Sequence, residues 1–387
     1  MRQTSVLLAG MVAAMFLICG AVLAQAEPSK AVGPPDRYIV VLKKDASDSG
    51  RAADGMARRY GLGVGFVYGH ALKGFSATIP EGRLEKVRAD ERVDYVERDK
   101  TMRAVGQTLP WGINRVDADT SSTKAGNGSG AVSNVRAYII DSGIDKTHPD
   151  LNVVNHVNCH TSTSECKSTG ENNKDCNGHG THVAGTLAAE DNASAVVGVA
   201  PGAKLVGVKV LDCYGRGSTT NIIAGIDWVT AHATEPAVAN MSLGGGVSQA
   251  LDDAVKRSAN AGIFYSLAAG NDGKNACNYS PARTGDGTNN GIVTTAATKD
   301  KYDGAWAQSN FGSCVDVWAP GVNVLSTKLG GGTKTMRGTS MASPHVGGGG
   351  ALYLYSHPNA GPSSVEAALK SAAQSKDGRK ILYVGTF

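Results

Sequence analysis

The sequence predicts an α/β protein, a doubly wound parallel sheet with helices on both faces, preceded by a small α+β ferredoxin-like unit. Three observations carry this. From about residue 104 onward, strand-like apolar runs alternate with helix-compatible segments, the pattern of parallel βαβ units. Ahead of them, a shorter stretch reads in the order β-α-β-β-α-β. The length, 387 residues with 41% apolar side chains, suits one large domain plus a smaller module, each with its own core.

The first element is a targeting segment. Met1-Arg2 is basic, an apolar run follows from Val6 to Leu23, and Ala24-Gln25-Ala26 supplies an A-x-A cleavage site. Residues 1–26 are therefore expected to be a signal peptide, cut after Ala26. A membrane anchor is the competing reading, and the cleavage site argues against it. In the small unit, Arg37–Lys43, Val64–Tyr68, Gly74–Ile79 and Val93–Glu97 read as strands. Ala46–Tyr60 and Glu81–Asp90 read as helices.

In the large unit, Val135–Ile140 is a strand leading into Asp141. Lys204–Val210 is a strand followed by the helix Thr219–His232. Ala237–Leu243 precedes the helix Gln249–Ala261, and Ile263–Ala269 precedes Gly270-Asn271. Ligand sites of such sheets lie at the carboxyl ends of the strands, where Asp141, Ser242 and Asn271 fall. The 50 glycines imply many tight turns and close backbone approaches.

The net charge of +4 is spread along the chain, and short basic stretches such as Lys43-Lys44 and Arg58-Arg59 read as solvated faces, not a nucleic-acid site. Of seven cysteines, Cys19 falls in the signal segment, where the bulky Ile18 before it argues against lipidation. The six that remain read as disulfides in an oxidising compartment, with 15 pairings open. No C-x-x-C pair suggests a metal site.

Three separated motifs carry chemistry. Gly338-Thr339-Ser340-Met341-Ala342-Ser343-Pro344-His345 precedes small and apolar residues, and Pro344 suits the first turn of a helix. Ser340 then lies at a helix N-terminus, where free N–H groups favour a developing negative charge. A serine is a poor nucleophile without a neighbouring base. His179 in Asn177-Gly178-His179-Gly180-Thr181-His182 supplies one, with the flanking glycines leaving a face of the imidazole open. No Glu makes an H-E-x-x-H zinc motif, so His182 reads as structural. Asp141, leaving a buried strand in Ile139-Ile140-Asp141-Ser142-Gly143, is placed to hold the histidine's tautomer. Asp145 is the competing acid and lies in a polar turn. Asn271 in Ala268-Ala269-Gly270-Asn271 offers an amide to an oxyanion.

The order Asp, His, Ser across these motifs resembles that of the subtilisin-like serine proteases, most closely the proteinase K-like branch with aqualysin-type enzymes. The resemblance covers nearly all of the chain after the signal. It implies a triad of Asp141, His179 and Ser340 with Asn271 as oxyanion donor, and a secreted, monomeric endopeptidase without stable membrane association. Protein and peptide substrates would lie as a middle strand between Gly215-Arg216-Gly217 and Ser242-Leu243-Gly244. Ala268-Ala269-Gly270 would wall an uncharged first specificity pocket that takes apolar or aromatic side chains.

The resemblance also implies Cys176–Cys213 and Cys277–Cys314 disulfides, which leaves Cys159 and Cys166 to close a small loop. Residues 27–103 would be an inhibitory propeptide, cut near Arg103 by the enzyme itself, and residues 104–387 the peptidase domain. No cofactor is implied for catalysis. A structural calcium is implied, held by Asp316 with backbone oxygens near Asn290 and Ile292, beside an altered segment at 284–290. Asp117 and Asp119 are candidates for a second one. The Gly347–Gly350 run departs from the family, which has a helix richer in Ala there.

Two other readings compete. A catalytically inactive binding protein of the same fold would be expected to lack one of the four catalytic residue types. A lipase-like hydrolase would carry G-x-S-x-G in the order Ser, Asp, His, whereas Ser340 comes last and follows Gly338-Thr339.

Overall fold

The computed structural model describes residues 36–46, 48–99, 106–161, 165–170, 173–234 and 236–387. The expected signal segment, its cleavage site and the expected cut near Arg103 lie outside the described residues. The chain divides into two compact units, Met1–Ala104 and Val105–Phe387.

In the first unit the elements run β1 (Arg37–Leu42), α1 (Ser49–Tyr60), β2 (Gly63–Tyr68), β3 (Gly74–Thr78), α2 (Leu84–Arg88) and β4 (Val93–Arg98). The strands form an antiparallel sheet in the order β2-β3-β1-β4, which is the ferredoxin-like arrangement. Helix α1 starts where Asp48 Oδ1 accepts the Arg51 N–H at 2.8 Å, and ends at Gly61 in the left-handed conformation. Val40, Phe75, Met56, Ile79 and Val87 are fully buried between sheet and helices. Phe66, Val67 and Tyr95 are exposed.

The second unit begins with the short α3 (Trp111–Arg115), followed by β5 (Arg136–Asp141), β6 (Val153–Asn158), α4 (His179–Ala188) and β7 (Lys204–Lys209). Next come α5 (Thr219–His232), β8 (Ala237–Met241), α6 (Gln249–Asn260), β9 (Phe264–Ala268) and β10 (Ile292–Thr298). The chain continues through β11 (Val317–Pro320), β12 (Val324–Thr327), β13 (Thr333–Met336), α7 (Thr339–Ser356), α8 (Pro362–Ala372), β14 (Gln374–Lys376) and β15 (Arg379–Ile381). The main sheet has the order β14-β15-β11-β10-β9-β8-β5-β7-β6, parallel throughout except for the β14–β15 pair.

Both faces of this sheet are covered. Ala137, Ile139, Leu205 and Val238 join α4, α7 and α8 in one buried cluster. Their alternates Tyr138, Ile140, Val206, Val208 and Ala239 join α5 and α6 in another, as the period-two strand requires. Helix α7 runs through the interior with small or apolar residues on every side, which is the mark of a fully enclosed helix. Its glycine run permits that position. A Cβ on Gly348 would lie 2.5 Å from Val199 Cβ, and one on Gly350 2.6 Å from the Phe264 ring. Three disulfides tie the loops, Cys159–Cys166, Cys176–Cys213 and Cys277–Cys314. Among the described residues no helix is long and apolar enough to cross a membrane.

Candidate active site

The site is assembled at the carboxyl edge of the sheet. Asp141 is the last residue of β5, a fully buried position, and its backbone oxygen accepts the Val210 N–H at 2.8 Å. His179 opens α4, and its Nδ1 lies 2.8 and 3.0 Å from the two Asp141 carboxylate oxygens. Burial opposes protonation of His179, but the charge and hydrogen bond of Asp141, with Asp175 behind, outweigh it and raise its pKa.

The glycines beside His179 act differently from the sequence expectation of an open imidazole face. Gly178 takes φ of 93° as the N-cap of α4. Gly180 lets the helix press on β5, since a Cβ there would collide with the Gly143 carbonyl oxygen.

Two buried residues that the sequence reading passed over hold this end of α4. Asp175 accepts from Ser142 Oγ at 3.0 Å, from the N–H groups of Asn177 and Gly178 at 2.9 Å, and from Thr181 N and Oγ1. The signal was an acidic residue just ahead of a helix start. Lys209, at the end of β7, is nearly fully buried and donates from Nζ to the carbonyls of Ser142 and Leu211 at 2.8 and 2.7 Å.

Ser340 is the second residue of α7, and its Oγ donates to the Ser242 carbonyl at 3.2 Å. Pro344 is not in the first turn as expected. It lies inside α7, one turn after Ser340, and has no N–H to give to the Ser340 carbonyl. That carbonyl instead accepts Ser242 Oγ at 2.7 Å, which ties the helix to the segment after β8. Asn240 supports the joint. Its Nδ2 donates to Ser242 Oγ at 2.9 Å, and its Oδ1 accepts from Ser343 and Ser266 at 2.7 and 2.9 Å. A polar residue in the apolar run Ala237–Met241 was the available signal.

Asn271 follows β9. Its Oδ1 accepts from both Thr339 N and Thr339 Oγ1 at 2.9 Å, and among the described residues its Nδ2 has no acceptor. Both are therefore fixed in orientation, oxygen toward the helix start and amide protons free.

Two grooves share the wall Ser242-Leu243-Gly244, the one lined also by His179 and the other by Ser340 and Asn271. The first, of about 540 Å³, has Gly215-Arg216-Gly217 and Ser242-Leu243-Gly244 among its walls. Tyr214 at its rim is 80% exposed, and the Arg216 guanidinium stacks over it while pairing with Asp212 at 3.2 Å. The Cys176–Cys213 bridge joins the loop before His179 to the loop that carries this rim. The other, of about 390 Å³, is walled by Ala268, Ala269 and Gly270, with Asp272, Tyr279 and Ala282 adding surfaces that the sequence reading did not assign.

The remaining candidates lie apart from this chemistry. His182 Nε2 is shared by the Val324 and Lys334 carbonyls, and burial lowers its pKa to about 4, so it is a structural residue. Asp145 caps a turn through Thr147 and Gly330. Asp119 accepts from Asn114 at 3.1 Å. Among the described residues no three His, Cys, Asp or Glu side chains converge as metal ligands.

The side chains around the expected calcium site do not fit calcium. Asp316 Oδ2 accepts the Thr294 N–H at 2.9 Å, while Oδ1 is buried without a hydrogen bond among the described residues. Burial pushes this carboxyl up to about 7, and the facing Glu366 adds to the rise. Glu366 Oε2 accepts the N–H groups of Gly291 and Ile292 at 2.7 and 3.2 Å. The Asn290 side chain is spent on its own turn, donating to the Thr284 carbonyl and accepting from Ile292 N. Amid these oxygens lies an ammonium, Lys370 Nζ, 3.0 Å from Glu366 Oε1 and 3.6 Å from Asp316 Oδ1.

Comparison with known proteins agrees with this geometry. The family described as the subtilase family matches residues 133–383, and the one described as peptidase inhibitor I9 matches residues 37–104. The alkaline serine exoprotease A of Vibrio alginolyticus is 41% identical over 361 residues, which is 87% of this chain and 64% of that protein, so the chain spans less than two thirds of that relative. The extracellular serine proteinase of Thermus sp. (strain Rt41A) is 40% identical, over 87% of this chain and 84% of that protein. A crystal structure of a cold adapted subtilisin-like serine proteinase superposes with a TM-score of 0.62 at 39% identity, covering 71% of this chain and 97% of that one.

Proposed function

The chain belongs to the subtilase family, and on that premise we propose that it is a secreted serine endopeptidase made as a self-processing precursor, with Ser340 as nucleophile, His179 as general base, Asp141 as the carboxylate that orients it and Asn271 as oxyanion donor. One observation carries the assignment. A histidine engaged through Nδ1 by a buried carboxylate lines one of two grooves that share the wall Ser242-Leu243-Gly244, and a helix-start serine lines the other together with an amide whose donor side is unused.

With Nδ1–H donated to Asp141, the His179 Nε2 lone pair is the available base. The Ser340 hydroxyl rests on the Ser242 carbonyl. Rotation about its Cα–Cβ bond hands the proton to Nε2, and Oγ adds to the substrate carbonyl. The resulting oxyanion is met by Asn271 Nδ2 and by N–H groups at the start of α7. His179 then returns the proton to the leaving amine, which leaves an acyl-enzyme on Ser340, and water repeats the sequence to release it. Every proton and charge in this cycle is handled by the chain itself, and catalysis needs no cofactor.

Protein and peptide substrates lie extended between Gly215–Gly217 and Ser242–Gly244 through main-chain hydrogen bonds. The uncharged wall at Ala268-Ala269-Gly270 favours apolar or aromatic side chains ahead of the scissile bond. Residues 1–26 direct export, residues 27–103 act as the inhibitory propeptide, and residues 104–387 form a monomeric enzyme that binds no nucleic acid and has no stable membrane association. The calcium implied by family resemblance is not retained at Asp316.

Ser340→Ala tests the assignment. The purified precursor should fold, hydrolyse no casein and remain unprocessed. Self-cleavage by that variant in the absence of any other protease would overturn it.

A further inference from the structure

We infer that the Lys370 ammonium is the resident cation of the Asp316–Glu366 pocket, doing there the work of a bound calcium ion. The geometry of its surroundings carries this. Nζ faces four oxygens drawn from three separate segments. They are the carbonyls of Gly287 and Thr288 at 3.1 and 3.4 Å, Glu366 Oε1 at 3.0 Å and Asp316 Oδ1 at 3.6 Å.

Carbonyl and carboxylate oxygens in combination are the donor set of a hard divalent cation. Here they are gathered by three N–H donors instead. The Lys370 side chain is 11% exposed, and both carboxylates are essentially buried, so the charge is set into the fold and not laid on its surface. Among the described residues Asp316 Oδ1 has no other partner than this ammonium. The contacts tie the 285–291 turn to α8 and to the chain entering β11.

A metal ion contributes stability that depends on its free concentration. A lysine four residues beyond Glu366 on the same helix is present at all times, so this pocket should be indifferent to chelators. Removing the ammonium should expose an oxygen cage that calcium can enter.

The test uses thermal unfolding of the inactive Ser340→Ala protein, to prevent autolysis, with further substitutions made in it. The parent and Asp316→Asn should show the same response of Tm to calcium against EDTA, and should retain the same number of calcium ions by elemental analysis. Lys370→Met should lose about 5 °C or more of Tm in EDTA and recover part of the loss in millimolar calcium, an increment that the parent lacks. The inference is overturned if Asp316→Asn removes a calcium ion or a calcium-dependent rise in Tm that the parent has. It is equally overturned if Lys370→Met matches the parent in EDTA, or if calcium does not restore it. Should Lys370→Met fail to fold, the metal count of the parent against Asp316→Asn decides alone.

Discussion

Asp175 touches no substrate, yet its replacement by Asn should change both stability and the pH profile. Its Oδ1 serves Ser142, Asn177 and Gly178, and its Oδ2 serves Thr181 N and Oγ1. An Asn side chain has one acceptor oxygen. Placed to harm least, it keeps the Oδ1 partners and points its NH2 at the Thr181 N–H, which leaves one buried donor unsatisfied. That costs about 1–3 kcal/mol, and loss of the charge weakens the remaining bonds, for a total of roughly 2–4 kcal/mol. For a domain of this size Tm should fall by about 5–15 °C. Asp175 also raises the His179 pKa, so its loss should move the acid limb of kcat/KM to lower pH. Scanning calorimetry on the Ser340→Ala background reads the first effect, and kcat/KM for a chromogenic peptide against pH reads the second. An unchanged Tm, or an acid limb displaced upward, would refute this reasoning.

Three other outcomes follow from the same contacts. His156, His182 and His345 are held near 4 by burial, whereas an unfolded chain takes up these protons near about 6.5. Stability should therefore be full above about pH 6.5 and be lost as pH falls toward 4, by roughly 3 kcal/mol per histidine, partly offset by the raised His179; urea titrations at stepped pH check this. Gly348→Ala gains about 1 kcal/mol in helix propensity but drives a methyl group into Val199, so overpacking of about 1–3 kcal/mol or more should leave Tm several degrees lower. Residues 27–103, added in trans, should inhibit the mature enzyme at micromolar concentration or below; intact propeptide without effect would reject the inhibitor role.

The fold class and the residues of the proposed triad were both legible because each rests on local information. Alternating apolar runs set the strands, and the two faces of β5, Ala137 and Ile139 against Tyr138 and Ile140, follow from side-chain alternation alone. Asp141, His179, Ser340 and Asn271 stand in short motifs at strand ends or helix starts, where backbone geometry already limits the direction of the side chain. Pro344 shows where local reasoning stops. Its residue type suits a first turn, but it lies deeper in α7, where the carbonyl that it leaves unbonded is taken up by Ser242 from the segment after β8.

What the amino-acid order determined by itself was therefore the α/β architecture, the subtilase motifs that carry the proposed triad and the identity of the groups that could meet. Only the tertiary structure decided which charges face one another at long sequence separation. Asp316 reads from sequence as a calcium ligand, and nothing near it in the chain says otherwise. Lys370 reaches it from α8, 54 residues later, and fills with an ammonium the oxygen cage that the 285–291 turn presents. Electrostatic pairing acts through distance in space, and the fold alone sets that distance.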